Sequence, residues 1–388
     1  MDLMDYIFRH KNIDVALLEI DPIGFAIQRV ELLDDEHFPY GVKRTPPALY
    51  EWWRSRIIPA SREGIKSILR ERKIAGVSEL ALKSFGLSLS DQYWIVPEDQ
   101  AGIGWGTVNF FDNEFAGGKS EMSVLAAGGM TPDVSTSGQL PKRWVIENGK
   151  RYLIKKGTPL VYPEAYNEKI GSVLCKHLGI GHVDYDVVIE QDEKIGETAS
   201  SKCACFVDSK TELVTAYQIM ETKPQPAGDF LYEHCIECFE EAGVPEAKRK
   251  IDEMLVLDFI ISNTDRHLWN FGMIRNADTL KAVSFAPIYD CGNSMWHNVS
   301  DSAIRIGADV VADKANPFCT SHNEQIGKVR DFSWLEAEKL RAAIQEAEEV
   351  LLANMNCGIG RTEAIIRAFR ARAAKVEVAA QARRSNQD

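Results

Sequence analysis

The sequence predicts an α+β chain of two lobes, with a further mixed region ahead of them. Three observations carry this reading. From about 126 to 220 the pattern is strand-rich around a single helix, and from about 221 it turns mainly helical. Residues 1–125 mix strand and helix, and the Gly-rich run AAGGMTP marks a linker around 126–132.

In the first region, IDVALLEID has the apolar run of a strand, and TPPALYEWWRSRIIP places paired prolines before Trp52 and Trp53. SREGIKSILRER, with Ser61 as its cap, reads as a short helix with Ile65, Ile68 and Leu69 on one stripe. GLSLSDQYWIVPED and WGTVNFFDNEF read as aromatic strand or loop segments. The aromatic residues here (Tyr93, Trp94, Trp105, Phe110 and Phe111 among them) suit a packed core better than a binding surface.

The second region opens with KRWVIENGKRYLIKK, a hairpin signal with Asn148-Gly149 at the turn. A helix follows in YPEAYNEKIGSVLCKHLGIG: Pro163 starts it, Tyr166, Ile170, Val173, Leu174 and Leu178 share a face, and Gly179 stops it. HVDYDVVIE and ELVTAYQIM return to strand. In the third region IDEMLVLDFII is a buried apolar helix, followed by a hairpin. SWLEAEKLRAAIQEAEEVLLANM and RTEAIIRAFRARAAKVEVAAQARR close the chain as amphipathic helices.

Composition narrows the function. With 388 residues, 45% hydrophobic and 26% charged, the chain is neither disordered nor collagenous nor a disulfide scaffold. No stretch approaches the roughly 20 apolar residues of a membrane span. The opening MDLMDYIFRHKNIDVALLEI has acids where a signal peptide needs bases. Lys plus Arg is 45 against 57 acids, net −12, the wrong sign for binding nucleic acid through counterion release. A cytoplasmic location, without membrane or direct nucleic-acid contact, is the expectation. The eight cysteines then read as thiols in a reducing compartment.

The chemistry concentrates in IISNTDRHLWNFGMIRNADTLKAVSFAPIYDCG. A buried helix ends in a polar turn at 263–267, a strand begins at Asn270-Phe271-Gly272, and Asn276-Ala277-Asp278 reverses it. The returning strand is expected to end at Asp290-Cys291-Gly292. Phosphoryl transfer needs a carboxylate to orient the attacking hydroxyl and oxygen ligands to hold magnesium against phosphates. Asp265 and Asn270, spaced D-x-x-x-x-N, supply the carboxylate and one ligand; Asp290 of D-x-G supplies the main metal ligand.

D-R-H-x-x-N followed about twenty residues later by Y-D-x-G resembles the HipA-like serine/threonine kinases, and D-R-H-x-x-N is shared with phosphatidylinositol 3- and 4-kinases. The resemblance covers roughly 130–350. It implies a protein-kinase-like two-lobed fold, with 126–220 the kinase N-lobe, 221–388 the C-lobe and 1–125 an accessory region of unassigned role. It implies ATP and Mg2+ as cofactors, and a protein Ser/Thr hydroxyl, the chain's own included, as acceptor. A DNA-binding antitoxin-type partner is a further implication.

Residue by residue, the resemblance makes Asp265 the base and Asn270 and Asp290 the metal ligands. His267 would stabilise the transferring phosphate. Lys155 would reach the nucleotide phosphates, with Lys156 the second choice, and Glu168, in the Asn167-Glu168 pair of the family's helix, would hold that lysine, with Glu164 second. Ser135, Ser137 and Gly138 fall in the phosphate loop, where the Gln, here Gln139, is displaced by one residue. Ser135 stands three residues before Gly138, as the family's autophosphorylated serine does, and Ser137 is the alternative. Arg266 follows the aspartate, reversing the H-R-D order of protein kinases. The competing readings are a small-molecule or lipid kinase, which the acidic charge disfavours at an anionic membrane, and a pseudokinase acting as an interaction module, which the intact base and metal set disfavours.

Two patterns are set aside. Gly117-Gly118-Lys119-Ser120 resembles a Walker A loop but has Asn113 where the first Gly belongs. Cys203, Cys205, Cys235 and Cys238, beside His234, have ligand types that suit zinc, yet they fit a strand face and one helix turn better than a zinc knuckle. Elemental analysis of protein purified without chelator should therefore find well under one zinc per chain; a stoichiometric signal would revive the cysteine site.

Overall fold

The computed structural model describes residues 3–384 apart from 63–64, 72, 116–131, 136–139, 160, 162, 193–195, 227–229, 305–313 and 355. The expected linker, save Pro132, and the Walker-like Gly117–Ser120 run lie outside the described residues. The chain divides into two compact units. Unit 1 is Met1–Lys155, Ala204–Val214 and Ile274–Ala282; unit 2 is Lys156–Cys203, Thr215–Met273 and Val283–Asp388.

Unit 1 is built on an antiparallel sheet of β1 (Met4–His10), β2 (Ile13–Ile20), β3 (Ile27–Leu32) and β4 (Tyr93–Pro97), in the order β3-β2-β1-β4. Helices α1 (Pro46–Ser55), α2 (Ile65–Glu71) and α3 (Val77–Lys83) stand between β3 and β4 in the chain. The paired prolines begin α1, where their missing N–H and fixed φ cost nothing. Phe8, Leu18, Leu49, Trp52, Trp53 and Leu80 form the core, and Tyr93 stacks on Phe8 at 5.5 Å. The aromatic residues of this region are core, as their number suggested: Trp52, Trp53, Tyr93, Trp94, Trp105, Phe110 and Phe111 are all buried. A Cβ on Gly86, at φ +58°, would lie 1.8 Å from the Trp53 ring, so only glycine turns the chain there.

WGTVNFF is neither strand nor loop at its start, because Trp105–Val108 makes one helical turn, α4. The hairpin of β5 (Lys142–Glu147) and β6 (Lys150–Lys156) forms as expected, with Asn148 at φ 50° and Gly149 at φ 75°. Two left-handed residues make the turn type that matches strand twist.

In unit 2, α5 (Pro163–Leu178) is the expected helix, ended by Gly179 at φ +70°. Strands β7 (Tyr185–Asp192) and β8 (Gly196–Ala204) follow as an antiparallel hairpin. Sequence reading misses β8 because its buried residues include Thr198, Ser200 and Ser201, which leave no apolar alternation. ELVTAYQIM is strand only over β9 (Thr211–Thr215); Ala216–Met220 is a helix, α6, started by a reciprocal cap between Thr215 and Gln218. Beyond come α7 (Leu231–Glu241), α8 (Ala247–Ile261), strands β10 (Gly272–Asn276) and β11 (Ala282–Phe285), and α9 (His322–Ile326), although most of β9 and of β10 belongs to unit 1. The last two helices are α10 (Ala337–Ala353) and α11 (Ile359–Arg384). The returning strand stops at Phe285, so Asp290 sits in a loop rather than at a strand end. Among the described residues no helix is long and apolar enough to cross a membrane.

A buried carboxylate ties the separate segments of unit 1 together. Glu212 on β9 lies 3.0 Å from His10 Nε2 on β1, accepts from Arg275 Nε on β10 at 2.5 Å and from the Gln92 N–H at 3.2 Å. Arg275 also donates to the Tyr93 hydroxyl at 2.8 Å. Burial alone would raise the Glu212 pKa, but Arg275 and then His10 outweigh it and hold the carboxyl at about 2.

An unfolded glutamate titrates near ~4.3, so the lowered folded value contributes on the order of 3 kcal/mol above pH 5. That contribution fades as pH falls from about 4 to about 2. Urea unfolding at pH 5 and pH 3 should show wild-type protein losing stability at the lower pH, with a smaller loss in Glu212→Gln. Equal losses in the two proteins would mean that Glu212 is not held low.

Candidate active site

The site begins where α8 stops. Ser262 turns left-handed at φ 52°, and the Asn263 N–H returns to the Asp258 carbonyl at 2.9 Å. Asp258, on the last turn of this apolar helix, is wholly buried and faces the equally buried Arg266. Arg266 Nε and Nη2 reach the two carboxylate oxygens at 2.9 and 3.1 Å, a two-pronged pairing. Nη1 donates to the Asn270 carbonyl at 2.8 Å and the Tyr289 carbonyl at 2.6 Å, and Nη2 reaches Cys291 Sγ at 3.2 Å. Desolvation works against the guanidinium charge, but Asp258 overcomes it and the pKa lies well above the ordinary arginine value. One side chain thus joins the helix end, the polar turn and the Asp290 segment.

This clamp sets the candidate residues. Asp265 receives its position from both sides. Its N–H donates to Asn263 Oδ1 at 3.0 Å, and its carbonyl accepts from Asn270 Nδ2 at 3.0 Å and from the His267 N–H at 2.8 Å. Its Oδ2 accepts from Asn293 Nδ2 at 2.7 Å, and its Oδ1 takes no hydrogen bond from the described residues. The Asn293 carbonyl in turn accepts from the Thr264 N–H at 3.1 Å. Asn270 spends its amide N–H on Asp265, so its carbonyl Oδ1 is the atom suited to a metal.

Asp290 is left-handed, φ 54°, and its N–H points to the Tyr185 hydroxyl at 3.4 Å. A non-glycine residue at positive φ is uncommon and persists where surrounding structure holds it. Asn270 and Asp290 present oxygen donors, the chemistry magnesium prefers when phosphates complete its shell. Among the described residues no group of three or more His, Cys, Asp or Glu is placed to hold a metal by itself.

Helix α5 holds the Asp290 segment from the other side. Glu168 is buried and its Oε2 accepts from the Cys291 N–H at 2.7 Å. Asn167 Nδ2 donates to the carbonyls of Gly292 and Ser294, each at 2.8 Å. A Cβ on Gly292 would come within 3.2 Å of Glu164 Cβ and 3.3 Å of Glu168 Oε1, which gives the Gly of D-x-G its reason. Glu164 itself accepts from the Thr158 N–H at 2.8 Å and from the Thr158 hydroxyl.

His267 is exposed, and its Nδ1 accepts from the Trp269 N–H at 3.3 Å. In the neutral ring the proton then sits on Nε2, ready to donate. Lys155 belongs to unit 1, near the end of β6 opposite Lys142. Ser135 ends a short 3₁₀ turn over Pro132–Ser135, while Ser137, Gly138 and Gln139 lie outside the described residues. Of the cysteines set aside, Cys235 and Cys238 are buried on α7, and burial pushes the Cys235 thiol well up.

Sequence reading missed Asp258, Asn263, Asn293 and Asn167. A lone carboxylate inside LVLDFII was a usable signal, since an apolar helix does not bury an acid without a partner. Asn167 was marked only as the neighbour of Glu168, and nothing in the sequence distinguished Asn263 or Asn293.

A family model described as the HipA-like C-terminal domain matches residues 127–355, more than half of the chain. No curated relative matches. Among solved structures, HipA of the Shewanella oneidensis MR-1 toxin–antitoxin system, in complex with HipB and operator DNA, is similar at a TM-score of 0.55 and 13% identity, with 96% of each chain covered. The Helicobacter pylori proinflammatory kinase CtkA is 15% identical, with 64% of this chain and 95% of its own covered and a TM-score of 0.48.

Arg266→Lys tests the clamp. Lysine keeps the charge but cannot present donors in a planar fork to four separate acceptors. Breaking a buried pair costs about 3–5 kcal/mol, and urea unfolding should register a loss of that order. A loss under about 1 kcal/mol, the range of an exposed pair, would show that the clamp contributes little.

Proposed function

The chain belongs to the HipA-like C-terminal domain family, and on that premise we propose that it is an ATP- and magnesium-dependent phosphotransferase acting on Ser or Thr hydroxyls of a protein. Its fold is α+β and HipA-like, with the protein-kinase-like architecture of that group. We assign 126–220 and 221–388 as the kinase lobes and 1–125 as an accessory region. The observation that carries the activity is the state of Asp265: one carboxylate oxygen is held by Asn293 and the other is left for a hydroxyl.

In this reading Asp265 accepts the proton of the attacking hydroxyl as the new O–P bond forms and ADP leaves. Asn270 and Asp290 hold magnesium, which when bound offsets the phosphate charge. Lys155 reaches the nucleotide phosphates and is held by Glu168; the Nε2–H of His267 donates to the transferring group. By resemblance Ser135, Ser137 and Gly138 belong to the phosphate loop, whose amides and hydroxyls would receive phosphate. Phosphorylation of Ser135 or Ser137 by the chain itself would add close to two negative charges there and weaken ATP binding. The similar HipA was solved with HipB and operator DNA, which supports a DNA-binding antitoxin-type partner for this chain, in the cytoplasm, with no nucleic-acid contact of its own.

Labelled ATP with magnesium, followed by mass spectrometry of modified residues, tests the activity and places any label on Ser135 or Ser137. Asp265→Asn should lose about 10²–10⁴-fold in transfer while keeping ATP affinity. Asp290→Asn should lose magnesium-dependent nucleotide binding itself. Wild-type turnover in either variant would refute the assignment, and equal loss of ATP affinity in both would show that the two roles are wrongly divided.

A further inference from the structure

Unit 2 contains a cleft of about 570 Å³ that none of the roles above uses. One wall is the first turn of α5, with Pro163, Tyr166 and Asn167; a second is the segment 295–301, which continues from Asp290-Cys291-Gly292. The third is the junction of α10 and α11, with Leu351, Cys357 and Ile365. Sites for small organic ligands have volumes of roughly 300–1,000 Å³ and mostly apolar walls with a few directed polar groups.

The polar groups here divide into spent and unspent. Arg361 is spent: Nη1 donates to the Val299 carbonyl at 2.7 Å and to Asp301 Oδ1 at 2.6 Å, and Nη2 to the Trp296 carbonyl at 2.9 Å. The two lining charges therefore neutralise each other. His297 is unspent, because its Nδ1 is buried without a hydrogen-bond partner. Burial pushes the imidazole pKa below its usual range against the opposing pull of Glu164 and Asp265, so the ring is neutral at pH 7. Nδ1 itself is closed to solvent, but Nε2 makes no hydrogen bond and is not closed off, so it is the ring atom that a ligand in the cleft can reach.

The cleft is wired to the catalytic turn. Asn167 lines it and donates to the Gly292 and Ser294 carbonyls, and its neighbour Glu168 holds the Cys291 N–H. Met295, on the facing wall, and Trp296 behind it are consecutive left-handed residues, φ 51° and 55°. Such strained positions cost about 1–3 kcal/mol each and persist only while their surroundings hold them.

We propose that this cleft is a second ligand site, for a small uncharged molecule with an apolar body and one hydrogen-bonding group directed at His297, and that its occupancy biases the Asp290 segment through Asn167. The consequence for ATP rests on the phosphotransferase reading; the site and its link to 290–297 do not.

Cys357, half-buried on the wall, allows the cleft to be filled without knowing the natural ligand. Benzyl methanethiosulfonate converts the thiol to a neutral benzyl disulfide, the sulfinate leaving. Treated Cys357→Ser controls for the other cysteines. Amide hydrogen exchange over 290–297 and MgATP affinity by calorimetry are the two readouts. Labelling of Cys357 should change each by about fivefold or more, the lower end of allosteric coupling. Val299→Trp, which fills the cleft from a partly buried position, should act in the same direction. Unchanged exchange in both the labelled protein and Val299→Trp would overturn the proposal, as would a Cys357 that labels only after denaturation. Should the untreated chain bind no MgATP, the phosphotransferase reading falls, while the exchange data still decide the cleft.

Discussion

The buried guanidinium of Arg266 is the constraint on which the site depends. Placing a charge in the interior is costly unless a partner and hydrogen bonds satisfy it. Asp258 supplies the partner, and the carbonyls of Asn270 and Tyr289 take further N–H groups. Because those carbonyls come from different parts of the chain, satisfying one side chain also sets the turn carrying Asp265 and Asn270 beside the loop carrying Asp290. The order Asp-Arg-His follows from this. Arg266 points inward to the helix end, while its neighbours Asp265 and His267 are left toward solvent.

The Asp290 loop has no strand to hold it, since β11 ends at Phe285. Its conformation comes from α5 instead: Glu168 and Asn167 bind three of its backbone groups, and Gly292 allows the helix to approach closely. A residue held this way is only as well placed as the helix. That is a reason for a ligand beside Pro163 and Asn167 to be felt at Asp290, four residues upstream of Ser294 on the same loop.

Unit 1 solves a similar problem with Glu212. His10 on β1, Gln92 just ahead of β4 and Arg275 on β10 each bond one buried acid on β9, and Arg275 supplies the compensating charge. Residues 204–214 and 274–282 belong to this unit together with the N-terminal sheet, although the chain leaves and re-enters between them.

Local pattern by itself determined much of this protein. The turn at Asn148-Gly149, the helix between Pro163 and Gly179, and the apolar helix ending at Ile261 were legible because each depends on neighbours a few residues away. The candidate residues Asp265, Asn270 and Asp290 were singled out because phosphoryl transfer would demand fixed residue types at a fixed spacing. What lacked such a signal was decided by distant parts of the chain. Strand β8 carries buried hydroxyls in place of an apolar stripe, so only its pairing with β7 makes it a strand. Asn293 and Asn167 are ordinary asparagines in sequence; they acquire roles because Asp265 Oδ2 and the Gly292 carbonyl arrive within hydrogen-bond reach. Hydrogen bonds act over about 3 Å and take no account of separation along the chain. Sequence could therefore name candidate groups for chemistry, and only the tertiary structure could decide which groups hold them in place.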